Sequence, residues 1–288
     1  MIISLSIMLF FLTLIGLSLG SFLNVVIHRL PRMMKQQWAH QCQAFISEKI
    51  TSHVPSGQHH ESYNLLLPHS HCPQCQHPLK IYHNLPIVSF CLLKGRCAFC
   101  HSPIPWQYPF VELGTLLLFM ACYAIVGFSI QLPALLIFTT LLIPLCAIDL
   151  QEQLLPDVLT YLLLWCGLLT SCFSIFVDPT AAIVGIVTGY TFFWLTANIF
   201  KHITHRDGLG YGDCKLLAAL GAWVGWQGLM WIVLIASLSG TLITLSLIAL
   251  KQRKVSSLIP FGPFLALGGW LTLINISWIQ TWFQGING

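Results

Sequence analysis

Charged side chains are what this sequence has least of. Lys and Arg number 13 and Asp and Glu 9 among 288 residues, or 8%, where a soluble chain carries about 25%. With 56% of its residues hydrophobic, the chain has too few polar groups to cover a soluble surface. The scarcity excludes an ordinary soluble enzyme and leaves an all-α polytopic membrane protein, because a spanning helix satisfies its own backbone. It also excludes a nucleic-acid partner, since the net charge of +4 is not gathered into a basic patch. No Lys or Arg precedes Arg29. The basic start of a removable secretory signal is therefore missing, and the first apolar run reads as a retained span.

Long apolar runs are what the sequence has most of. About 20 residues of helix cross the hydrocarbon core of a bilayer. Eight stretches are candidates: 2–27, 110–130, 132–149, 156–177, 180–200, 212–226, 227–250 and 258–283. About eight transmembrane helices are therefore expected, with tight junctions near 131, 178 and 226. Three parts follow: a first transmembrane helix over 1–28, a polar cytoplasmic loop over 29–107 and a transmembrane bundle over 108–288. The loop divides into an insert rich in His, Gln and Ser (32–66) and a small module dense in Cys and Pro (68–107). In the eight-span arrangement all 13 basic residues fall on one side of the lipid bilayer. They follow span one (Arg29 through Arg96, including Lys80), flank the fifth-to-sixth connection (Lys201, Arg206, Lys215) and follow span seven (Lys251, Arg253, Lys254). The positive-inside rule makes that side cytoplasmic, with both termini outside.

The module carries "HCPQC" and "RCAFC", so that Cys72 and Cys75 are followed after 21 residues by Cys97 and Cys100. Two such knuckles supply four thiolates to one tetrahedral zinc, as in zinc ribbons. Cytoplasmic thiols stay reduced, which disfavours disulfides. His71, His77 and His101 are alternative ligands, but four sulfurs are the preferred set. Four thiolates leave no open coordination position, so the ion is expected to staple a segment too small for a core of its own.

Nine acids are few enough to weigh one at a time. Glu48, Glu61 and Asp207 lie in polar connections, and Glu152 in a cytoplasmic turn. Asp178 is a helix N-cap candidate. Asp157 and Glu112, each near the start of a span, suit a helix dipole; for Asp157 a functional role is an equal alternative. Asp149 and Asp213 differ from the rest. Asp149 ends the apolar run "LLIPLCAID" and Asp213 opens another, from the same boundary in the opposite direction, 64 residues later. Both acids thus sit at one depth, where ionisable groups are costly and mark function. Two adjacent carboxylates share one proton, so that one takes a proton from water while the other donates to a peptide carbonyl.

Three glycines, Gly208, Gly210 and Gly212, precede Asp213 in "GLGYGD". They permit irregular, close-packed backbone against which an extended substrate strand could lie. A dinucleotide loop is discounted, because the third glycine spacing and the preceding strand are absent. "PFGPFLALG" (260–268) either lines the same cavity or simply opens the last span. Transport of protons or cations through Asp149 and Asp213 is the alternative function. It fits poorly, because both acids lie at one face and not at the midplane.

Several motifs together resemble the type IV prepilin peptidases, inner-membrane aspartic proteases of the GxGD type. They are "GSFLNVVIHRLP" (20–31), both cysteine knuckles, "YPFVELGT" (108–115), "IDLQEQLLPD" (148–157), "GLGYGDCKLLAALGAW" (208–223) and "PFGPFLALG". The resemblance covers nearly the whole chain. It implies cleavage of the basic leader from type IV prepilins and type II secretion pseudopilins at the cytoplasmic face, with Asp149 and Asp213 as the catalytic pair. It also implies N-methylation of the new N-terminus with S-adenosylmethionine as donor. The family places that reaction with the N-terminal cytoplasmic region, where Gly20, Asn24 and Arg29 are the matching positions.

Overall fold

The computed structural model describes residues 2–49, 64–65, 72, 74–78, 86–205, 208, 210–250 and 259–287. Most of the polar insert beyond 49, together with His71, Glu61, Lys80, Arg206, Asp207, Lys251, Arg253 and Lys254, lies outside these residues. The described residues form helices: α1 (Ile2–Lys49), α2 (Val88–Leu92), α3 (Gln107–Val126), α4 (Gln131–Glu152), α5 (Asp157–Cys172), α6 (Pro179–Thr204), α7 (Tyr211–Ala249), α8 (Gly262–Ile274) and α9 (Ile276–Asn287). An isolated antiparallel bridge joins Arg96 to Pro103. The chain forms two compact units, Met1–Met120 and Ala121–Gly288. The division falls inside α3, and not at 107/108 where the sequence turns apolar.

In the first unit, α1 does not stop at the polar boundary near 28. It runs on through Pro31 to Lys49, because Met, Lys, Gln and Ala after the proline are good helix formers. Its 48 residues would measure about 72 Å at 1.5 Å each, well beyond a bilayer, and residues 35–46 are exposed. The membrane half crosses α3 closely. A methyl group at Gly20 would lie 2.8 Å from the Glu112 Cα, and one at Gly16 3.3 Å from the Leu116 Cα. One turn further along, Asn24 Nδ2 donates to the Tyr108 carbonyl at 3.1 Å. Small residues four apart let two backbones approach where lipid offers no hydrophobic drive. Glu112, expected near a helix dipole, is buried and accepts the backbone N–H of Ile87 at 2.7 Å.

The second unit is a helical bundle. Trp223 anchors it: the ring is 1% exposed, its N–H donates to the Leu163 carbonyl at 2.9 Å, and Phe138 stacks at 4.9 Å. Helix α6 lies antiparallel to the first part of α7, with Gly185 against Gly221 and Gly189 against Leu217. Each glycine of the first pair touches the other's carbonyl, so no side chain fits at either. Asp178 precedes α6 but makes no side-chain cap there; its Oδ1 accepts from the Ser174 hydroxyl at 2.9 Å.

Helix α7 breaks at Gly225, whose φ of 69° and ψ of 178° are not helical. The contacts on either side show the chain turning back. Helix α4 runs antiparallel to residues 211–224, with Phe138 on Trp223 and the Asp149 end near Asp213. It runs antiparallel to α8 too, since Asp149 meets Gly262 and Thr139 meets Trp270. Residues 226–249, in contrast, oppose α8: Gly228 touches Thr272, Ile232 touches Gly268 and Gly240 touches Phe264. The two parts of α7 therefore run in opposite directions, as the junction expected near 226 requires.

Five described helices are long and apolar enough to cross a membrane, or six if α8 and α9, bent by 73°, are one span. The eight expected segments differ from this count in two respects. The sixth and seventh lie in α7, and the fourth corresponds to α5, which has only 16 residues. This is a multi-pass, all-helical membrane protein.

Candidate functional site

Asp149 lies in the last turn of α4. That helix ends when Gln153 takes left-handed backbone (φ 52°) and its N–H bonds to the Asp149 carbonyl at 3.0 Å. The short link that follows carries Leu155, and Pro156 then precedes α5. Asp213 lies in the first turn of α7, which opens at Gly210 in extended backbone (φ −74°, ψ 141°). Its N–H donates to the Gly210 carbonyl at 3.1 Å. Acids are favoured in a first turn, near the unpaired N–H groups.

The two carboxylates lie within electrostatic reach of each other. Asp149 is 5% exposed and Asp213 half-buried, so the site has a dry side and a wet side. Leu155 and Gly262 hold it together. Gly212 packs on the Leu155 side chain, as does Gly262, and the Gly262 N–H donates to Asp149 Oδ2 at 2.9 Å. A methyl group at Gly262 would sit 2.5 Å from that oxygen. The bare backbone is what allows the hydrogen bond. Residue-type reasoning had singled out "PFGPFLALG" without finding this donor, since a backbone N–H has no sequence signal.

Two neighbours resolve differently. Asp157 forms an ion pair with Lys215, whose Nζ lies 2.7 and 2.8 Å from its two carboxylate oxygens. Both groups retain solvent contact, at 52% and 29% exposure, so the pair ties α5 to α7 beside the acids and is not one of the converging carboxylates. Gly208 packs on the Phe200 ring, which lays the glycine-rich segment along the end of α6.

In the first unit the four cysteine sulfurs all lie within 4.8 Å of one another, with Cys72 and Cys100 at 3.7 Å. A tetrahedron with Zn–S bonds of about 2.3 Å has edges of about 3.8 Å. The two knuckles share one backbone pattern. Gln76 N–H donates to the Cys72 carbonyl and Cys72 N–H to His77; likewise His101 N–H donates to Cys97 and Cys97 N–H to Ser102. Gln76 and His101 take the same left-handed backbone, at φ 54° and 57°. The cluster is compatible with zinc held by four sulfurs. His77 stacks on Phe99 at 3.8 Å and is outside the cluster.

Electrostatics point the same way. Cys72 is lowered to about 6, first by the hydrogen bond from the Cys75 backbone. Cys100 is also lowered, first by the Ser102 hydroxyl. Cys75, despite its hydrogen bond from the His77 backbone, is pushed up to about 11 by lost hydration and by the Cys72 and Cys100 sulfurs. Crowded thiolates of this kind resist full ionisation until a cation neutralises them.

Gly20, Asn24 and Arg29 each make contacts within the first unit. Gly20 is filled by the α3 backbone, Asn24 holds Tyr108, and Arg29 donates to the Asn64 and Leu65 carbonyls at 3.0 and 3.3 Å. The Asn24 Oδ1 is buried and has no hydrogen-bond partner among the described residues.

Comparison with known sequences assigns this helical membrane bundle to a class of peptidase. Residues 14–126 match the bacterial peptidase A24 N-terminal domain and residues 136–245 the type IV leader peptidase family. The chain belongs to this peptidase family. It is 43% identical over 270 residues to a prepilin leader peptidase/N-methyltransferase of Aeromonas salmonicida (strain A449), covering 94% of this chain and 91% of that one. Proteins bearing the same description in Pseudomonas aeruginosa and Burkholderia pseudomallei (strain K96243) are 42% and 41% identical, over 91% of this chain and 88% and 84% of theirs. No solved structure gives a significant match. Nothing in the site or the comparisons favours a transporter.

Proposed function

We propose that Asp149 and Asp213 are the catalytic pair of a prepilin leader peptidase. The convergence of these two acids from α4 and α7, beside the Gly262 N–H, carries the reading. The protein cleaves the leader from type IV prepilins and from type II secretion pseudopilins, and methylates the N-terminus it exposes. In the cleavage step the ionised carboxylate takes a proton from water as the water oxygen attacks the scissile carbonyl. The protonated carboxylate donates to the carbonyl oxygen. Collapse of the tetrahedral intermediate breaks the C–N bond, and the leaving nitrogen takes a proton from the pair. Gly262 keeps one Asp149 oxygen oriented, and the half-buried Asp213 admits water.

The basic residues support a cytoplasmic-facing site in an inner bacterial membrane. A basic leader followed by an apolar helix would bring its scissile bond to the depth of both acids. The reversal at Gly225 supports eight spans, with 1–28 as the membrane part of α1, 29–107 as a cytoplasmic loop that includes its extension, and 108–288 as the peptidase bundle. S-adenosylmethionine supplies the methyl group in the second reaction, which needs a donor of activated methyl. Co-expression with a prepilin tests both activities at once. Mass spectrometry of the mature pilin is expected to show loss of the leader and one added methyl group (about 14 Da, the mass of CH₂). An uncut prepilin would overturn the reading.

Zinc is held by Cys72, Cys75, Cys97 and Cys100 as a structural staple. One equivalent is expected to copurify, and Cys72→Ser lowers both metal content and thermal stability. Cys72 and Cys100 sit below their unfolded thiol value of 9.0. The stability they contribute is therefore complete above that value and is lost as pH falls toward about 6. Zinc retention measured down a pH series should fall in the same direction, because protons compete for thiolate ligands. A metal-free wild-type protein would remove the cage.

A further inference from the structure

We propose that the cleft beside the second cysteine knuckle seats the headgroup of an anionic phospholipid. The cleft holds about 640 Å³, and Phe90, Lys94, Arg96, Pro103, Pro105 and Trp106 line most of it. Its frame is the knuckle itself. Lys94 and Gly95 take consecutive left-handed backbone at φ 49° and 68°, Arg96 pairs with Pro103, and the Ile104 N–H bonds to the Gly95 carbonyl at 2.8 Å. The turn sets two exposed cations at the edge of apolar and aromatic walls.

Among the described residues no acid lines this cleft, so its charge selects an anion. S-adenosylmethionine, with a sulfonium and an ammonium against one carboxylate, carries net positive charge and is poorly matched. Aromatic and proline walls beneath two cations suit an amphiphile: a phosphate on Lys94 and Arg96, hydrocarbon below.

The walls continue onto a membrane helix. Trp106 lies 5.1 Å from Phe90 and 6.1 Å from Phe110, ring centre to ring centre. Phe110 belongs to the first turn of α3, a candidate span, and both Trp106 and Phe110 are 67% exposed. Exposed aromatics at the start of a span mark the bilayer interface, and adjacent basic residues attract anionic headgroups. The aromatic row leads from the lipid-exposed side of α3 to the two cations. This assignment needs α3 to be a span and does not depend on the peptidase chemistry.

Native mass spectrometry of the full-length protein tests it, with phosphatidylglycerol and phosphatidylcholine titrated separately. The wild type is expected to retain one phosphatidylglycerol in preference to phosphatidylcholine. The double variant Lys94→Ala, Arg96→Ala is expected to bind that lipid about 30-fold more weakly, from about 1 kcal/mol per cation near an anionic surface. Zinc content in the same spectra reports whether the knuckle is intact; should it drop, Lys94→Gln, Arg96→Gln replaces the variant, and Trp106→Ala must weaken the same event. Equal retention of the two lipids, or an unaltered double variant with zinc in place, overturns the proposal. Displacement of the lipid by S-adenosylmethionine, or occupancy by inorganic phosphate at lipid-like concentrations, overturns it as well.

Discussion

Asp149→Asn and Asp213→Asn should each lower the rate of leader cleavage by a factor on the order of 10²–10⁴, the range that positioned acid–base groups supply. Neither substitution changes side-chain size, and in Asp149→Asn the new amide oxygen could still accept the Gly262 N–H. Fold and zinc content are therefore expected to stay at wild-type level, which separates a chemical loss from an unfolded protein. The double variant should lose little more than either single one, because residues acting as one unit do not add. Single-turnover cleavage of a prepilin in liposomes measures all three. Wild-type cleavage by either single variant would remove the dyad. Additive losses would mean that the two acids act in separate steps.

Gly262→Ala leaves both acids in place and should still slow cleavage substantially. Its methyl group would lie 2.5 Å from Asp149 Oδ2 and 3.3 Å from Leu155 Cδ2. The carboxylate must then move by several tenths of an ångström or abandon its rotamer, and a displacement near 1 Å costs about 10²-fold in rate. Gly114→Ala is the matched control, since nothing lies within 4 Å of a methyl group there. It should cleave like wild type. The comparison is made on kcat, with the zinc content and melting temperature of each variant recorded. Equal kcat for Gly262→Ala and Gly114→Ala would mean that the Gly262 N–H plays no part in holding Asp149.

The same geometry accounts for the glycines that open the second half of the site. Gly212 packs on Leu155 at 3.1 Å, so the link after α4 and the start of α7 meet through a position where side-chain bulk is excluded. Sequence reasoning assigned these glycines to a substrate strand lying against Asp213. The structure adds that Gly208 and Gly212 first serve the protein's own packing, on Phe200 and Leu155.

Much of this protein was legible from residue type and spacing alone. Apolar runs announce helices because lipid forces backbone groups to bond internally. Paired cysteines announce a cage because thiolate spacing within a knuckle is local. Asp149 and Asp213 stand out because charge is rare and costly at membrane depth. Helix ends were less legible. The continuation of α1 to Lys49 defeats a boundary drawn from hydropathy, since a helix leaving the membrane needs helix formers and not apolar residues. The short α5 and the broken α7 leave the number of long apolar helices among the described residues at five or six, because α5 has only 16 residues and the two segments expected on either side of 226 follow one another through Gly225 without a loop.

Composition and motif spacing by themselves determined the membrane class, the four-sulfur cluster and which two acids to compare, for each depends on cost or distance along one short segment. Only the tertiary structure decided that Gly262 donates to Asp149, that Leu155 joins the two halves of the site, that Asp157 pairs with Lys215, and that an aromatic row links the cysteine module to α3. The first three join residues tens of positions apart, and the first uses a backbone group that every residue carries, so they come into being only when the helices pack. The aromatic row depends on how the chain folds between Phe90 and the start of α3.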